Sequence, residues 1–136
     1  MTHTFSQFGT AAEAKAMEDQ AIAELKIDPA AALAKFNKAD GGFRDRDLYV
    51  FCFNLTTTKL DAHANPSLVG RKASSIKEKD GSPVGQKLLD AAKASAEGTI
   101  VTVSYNFPRP GTETPVPKET YITRIGNEAV GVGYYK

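Results

Sequence analysis

Asp47-Leu-Tyr-Val-Phe-Cys-Phe-Asn-Leu55 is the run that decides the fold class. Tyr49, Phe51 and Phe53 share one parity and Val50 and Cys52 the other, so a strand here carries apolar side chains on both faces. Such a strand is central in its sheet and covered on each side. Downstream, Leu60 to Ala64 reads as its shorter neighbour, and Asn65-Pro66-Ser67 turns the chain into a stretch ending at Gly70-Arg71-Lys72. Asp80-Gly81 is a further turn, and Ser82-Pro83 starts a helix to about Ala94 with Val84, Leu88, Ala91 and Ala92 inward. The last third is a meander of β-branched and aromatic segments, Thr99 to Phe107, Val116 to Ile125 and Ala129 to Tyr135. Gly126-Asn127 makes the tight hairpin between the last pair. The connection from Pro108 to Pro117 is rich in proline, which cannot donate to a ladder, so it is expected outside the sheet.

Upstream of the decisive run the period is helical. Thr10-Ala-Ala-Glu13 forms a capping box, and Ala14, Met17, Ala21, Ile22 and Leu25 then recur at three and four over 11–26. Asp28-Pro29 stops this helix and caps a second, with Leu33 and Phe36 inward and Gly41-Gly42 as terminator. The expectation is a single domain over 1–136: a flexible lead at 1–9, helices over 10–40, and a sheet with a crossover helix over 47–136. Its class is α/β (α+β), one five-stranded antiparallel sheet with a long N-terminal helix on one face and the helical crossover on the other.

Composition excludes several functions. Seventeen basic against sixteen acidic side chains, interspersed, give a net charge of +1 and no concentrated cationic field for nucleic acid or a membrane surface. No apolar run reaches the roughly 18 residues that span a bilayer. Cys52 is the lone cysteine and only His3 and His63 accompany it, so neither an internal disulfide nor a zinc site is expected. No nucleophile elbow or Walker loop is present, and Gly131-Val-Gly133 opens no helix, so catalytic residues and cofactors are not expected. Arg44-Asp-Arg-Asp47 reads as a solvated lead into the strand, and Cys52 as an inert buried thiol.

Several strings, in order, resemble the single Cache domain, a PAS-like sensor module. Leu60-Asp-Ala-His63-Ala-Asn-Pro66-Ser-Leu-Val-Gly70-Arg71 is similar to the family's strand that ends in His, turns through Pro and closes on Gly-Lys/Arg. Ile76-Lys-Glu-Lys-Asp80-Gly81 resembles its Lys-Asp-Gly segment, Tyr105-Asn-Phe-Pro108-Arg-Pro its aromatic-Pro loop, Pro117-Lys118-Glu-Thr-Tyr121 its Pro-Lys-x-x-Tyr strand, and Gly131-Val-Gly133-Tyr134-Tyr135 its closing strand. Thr56-Thr-Thr-Lys59 departs from the usual Asp-Gly hairpin, Ala64 stands where Pro commonly follows the His, and the tryptophan often found before the last strand is missing. The resemblance implies a periplasmic or secreted domain that binds a small molecule and catalyses nothing, as in bacterial chemoreceptors and sensor kinases or free-standing members.

The candidate site residues follow. Lys118 lies in a strand, where a covered ammonium needs a carboxylate or a ligand anion; its alternative is an exposed edge. Tyr105 and Tyr121 could present hydroxyls to one ligand, although Tyr121 has the opposite pleat parity to Lys118, so both serve one site only if a bulge intervenes or one reaches round from the edge. His63 ends a strand beside a turn, Arg71 follows Gly70, and Phe51 or Phe53 could line the pocket. Together with the resemblance these point to a small organic anion such as a short carboxylate, with amines and amino acids left open. The alternative is a protein-interaction module using the Pro108 to Pro117 loop, or a homodimer through the N-terminal helix.

Overall fold

A computed structural model describes residues 7–38 and 40–136. His3 and most of the expected lead lie outside them. Helix α1 (Ala11–Ile27) opens on the expected capping box: Glu13 N–H donates to Thr10 Oγ1 (3.2 Å) and Thr10 N–H to Glu13 Oε1 (3.0 Å). Asp28 ends α1 and caps α2 (Pro29–Asn37), accepting from Ala31 N–H (3.2 Å). The strands are β1 (Arg44–Asp45), β2 (Leu48–Asn54), β3 (Leu60–Ala62), β4 (Val101–Pro108), β5 (Pro115–Ile125) and β6 (Glu128–Tyr135), with α3 (Val84–Ala94) crossing over between β3 and β4.

All pairings are antiparallel, in the order β1-β2-β6-β5-β4, and β3 also pairs with β2. The last strand therefore lies beside the central one, Val50 opposite Val132 and Phe53 opposite Ala129. Two sequence expectations are corrected. Arg44-Asp-Arg-Asp47 is not a plain lead: its first two residues form a sixth strand, β1, that turns back onto β2 through Arg46 at φ 57°. The proline connection loops out of the sheet only over 109–114; its ends are strand, with Pro108 opposite Pro115 and Asn106 opposite Pro117. Ladder phase explains this. Asn106 N–H points away from β5, onto Glu78 Oε1 (2.6 Å), so these same-parity pairs are ones in which β5 need not donate to β4.

The alternation in β2 separates two cores. Leu48, Val50 and Cys52, with Val130 and Val132, meet Ala14, Met17, Ala21, Leu25 and Phe36 of the N-terminal helices. Tyr49, Phe51 and Phe53, with Val103, Tyr105 and Ile122, meet Leu88, Leu89 and Ala92 of α3 and the loop residues Ala73 and Ile76. Helices cover the first face over β2 and β6, while Thr102, Ser104 and Asn106 of β4 on that face are exposed. The second is shared between α3 and loops, and that difference creates the site. Among the described residues no helix is long and apolar enough to cross a membrane.

Candidate functional site

Lys118 is the unusual residue of the loop-covered face. It stands between Tyr105 on β4 and Tyr135 on β6, and it is only 2 % exposed. Its stem runs over Gly133, where an added Cβ would lie 2.5 Å from Lys118 Cε; only glycine leaves that passage open. The Nζ donates to Tyr49 Oη at 2.8 Å and lies 4.3 Å from the ring centre of Tyr49, 4.8 Å from Tyr135 and 5.3 Å from Phe107. Those rings give a desolvated cation partial compensation. No ion pair among the described residues includes Lys118. An ammonium has donors for more than one acceptor, so its hydrogen-bonding capacity is unfilled. Burial pushes its pKa down to about 7, against a smaller upward pull from Asp47.

The hydroxyls continue inward from this cation. Tyr49 interacts with the Tyr135 hydroxyl, which donates to the Pro108 carbonyl at 2.7 Å. Tyr105 Oη and Thr120 Oγ1 are 2.6 Å apart. Burial raises the pKa of all three tyrosines, so they stand as neutral hydrogen-bonding groups.

His63 is fixed by α2 and its own turn. Asn37 donates to the Asp61 carbonyl (2.9 Å) and accepts from His63 N–H (3.2 Å), while His63 Nδ1 accepts from Asn65 N–H at 2.9 Å. Burial foremost, and then the charges of Lys118 and Arg44, hold the imidazole down at about 3. It is therefore neutral, with Nε2 as its N–H donor.

A cleft of about 670 Å³ opens over this corner. Tyr49, His63 and Phe107 form part of its wall, the turn Pro66–Leu68 contributes Leu68, and the loop after β4 contributes Arg109. Its charged wall residues are Arg71, Lys77 and Arg109, and no carboxylate shares the wall among the described residues. Such a lining concentrates positive potential. Arg71 is tied to the Ser75 carbonyl (3.0 Å). Lys118 lies directly behind Tyr49 and Phe107. Phe51, Phe53 and Tyr105 line an inner apolar hollow of about 20 Å³, room for about one water.

The structure thus gathers Lys118, His63, Arg71, Tyr105, Phe51 and Phe53 on one side of the sheet. Tyr121 is not among them. The register from Lys118 opposite Tyr135 to Ile125 opposite Glu128 is unbroken, so Tyr121 faces the α1 side and stacks on Tyr134 at 6.1 Å. Tyr121 does not join Lys118, because β5 carries no bulge and, lying between β4 and β6, offers no edge for the side chain to reach round. Sequence reasoning missed Tyr49, Phe107, Arg109 and Tyr135 as site residues. Tyr49 has the parity of Phe51 and Phe53, which is a usable signal, whereas the position of Arg109 depends on how its loop folds back.

A sheet with helices on one face, and a loop-roofed cleft over a buried cation on the other, defines a PAS-like α/β domain. A Cache domain family model (dCache_2) matches residues 7–135, and the chain belongs to that family. Its fold is similar to a methyl-accepting chemotaxis protein from Vibrio parahaemolyticus RIMD 2210633, with TM-score 0.71 and 20% identity over 91% of this chain and 86% of that one. It is also similar to a periplasmic sensor domain of a chemotaxis protein (TM-score 0.63, 24% identity, 90% and 87% covered). A third likeness is to a Cache chemosensory domain whose structure is described as the basis for carboxylic acid recognition (TM-score 0.70, 22% identity, 92% of each chain). No curated protein matches the chain significantly.

Proposed function

We propose that this chain is an extracytoplasmic sensor domain whose cleft binds, without turning over, a small organic anion such as a short carboxylate. The observation that carries this reading is the Lys118 ammonium, buried behind the cleft wall with a hydroxyl as its hydrogen-bond partner and no ion pair to a carboxylate among the described residues. A buried cation in that condition gains from an anion delivered next to it. The cationic wall favours the same ligand, and neutral His63 offers its Nε2–H without opposing charge. The carboxylic acid recognition described for one similar domain supports the ligand class.

A melting-temperature screen tests it. Ligand at about a hundred times its dissociation constant stabilises the folded state by about 2.7 kcal/mol. The proposal expects short carboxylates to raise the melting temperature and the Lys118→Met variant to remain folded without that response. Stabilisation by amines or amino acids alone, with carboxylates inert, would replace the anion reading.

A further inference from the structure

We propose that Arg109 is a second anion contact of the cleft, and that an anion held there is felt at the start of α1 through Asp47. This rests on the anion reading above. Arg109 forms part of the cleft wall, and its Nε donates to Asp47 Oδ2 at 3.3 Å. Asp47 is 5 % exposed, and its other oxygen accepts from Gly9 N–H at 2.7 Å. One buried carboxylate therefore joins the rim of the cleft to the residue preceding the helix cap. The guanidinium also covers the Phe8 ring at 3.9 Å and lies 5.2 Å from Tyr135, the tyrosine whose hydroxyl holds the Pro108 carbonyl.

The same turn holds the chain on both sides of Gly9. Arg46 donates to the Phe8 carbonyl (3.1 Å) and pairs with Glu13, which belongs to the capping box of α1. Gly9 packs so closely that an added Cβ would meet Leu48 Cγ at 2.2 Å, so the segment cannot shift without disturbing β2. Among the described residues Asp47 is the sole hydrogen-bond acceptor of the Arg109 side chain. The terminal nitrogens of a guanidinium can grip a carboxylate bidentately. A ligand there competes with Asp47 for Arg109, and Asp47 then holds Gly9 under a different electrostatic load. Contacts at the rim in this way become a change at the head of the helix.

Amide hydrogen exchange separates the parts of the proposal. In the ligand-free protein Arg109→Gln should speed exchange at Gly9 by about tenfold, with β5 and β6 amides unchanged as the check on folding. Unaltered Gly9 exchange in that variant overturns the tie. Propionate, added to about 10 mM with binding followed by calorimetry, should alter exchange over 9–13 in the wild type but not in Arg109→Gln. Arg109→Lys, which keeps the charge but loses the fork, should bind propionate more weakly than the wild type. Equal affinity in wild type and both variants excludes Arg109 as an anion contact. If propionate fails to bind the wild type, the carboxylate reading falls and transmission falls with it, while the Gly9 result in Arg109→Gln still decides the tie.

Discussion

Lys118 contributes a pH dependence of its own to the stability of the domain. Its folded pKa of about 7 lies below the ordinary 10.5, so between those values the unfolded chain binds more protons than the folded one. The Lys118 contribution to stability therefore rises with pH across that window, and its burial penalty is greatest below pH 7. Lys118→Met should be the more stable protein at pH 6, by about 3 kcal/mol, and the gain should shrink towards pH 10. Urea unfolding at the two pH values measures this, and a methionine variant weaker than the wild type at pH 6 would show that the ammonium is well compensated. The suspicion that fell on Lys118 was legible because a charged side chain within a covered strand needs a partner. The identity of that partner was not, because Tyr49 is 69 residues away and looks like the core aromatics Phe51 and Phe53.

At the scale of elements, α1 carries a second buried charge. Glu18 is fully buried against the sheet, and among the described residues neither carboxylate oxygen has a hydrogen-bond partner. Desolvation raises its pKa well above the usual carboxylate range. A raised folded pKa gives stability that is complete below the unfolded value near 4.5 and is lost as pH climbs towards the folded one. Glu18→Met should thus stabilise the protein at pH 7.5 by about 2 kcal/mol and have little effect near pH 4. Thermal unfolding of both proteins at the two pH values checks this; an equal gain at both would mean that packing, not ionisation, is responsible. The helical period already places Glu18 four residues after Ala14 and three before Ala21, within the buried stripe. Its charge disguises that position. The prolines of β4 and β5 mislead in the opposite way, because proline content is visible in a sequence and the hydrogen-bonding phase of a ladder is not.

For the whole molecule, the sheet, its two covers and the crossover were readable because local signals agree: capping, the helical stripe, two-residue alternation and turn chemistry all describe the same layers. The cleft was less readable. It is assembled from β2, the turn after β3 and the loop after β4, and its link to α1 joins Gly9, Asp47 and Arg109, which only the folded chain brings together. The resemblance to Cache domains pointed, through Lys118 and His63, to the side of the sheet on which the cleft opens, while the pleat puts Tyr121 on the other. What the molecule offers as a unit is a positively lined opening backed by a buried, only partly compensated cation. Calorimetric titration of propionate into the wild type and Lys118→Met at pH 6 examines that directly. Saturable heat with the wild type and none with the folded variant is the predicted result; identical titrations of the two proteins would contradict it.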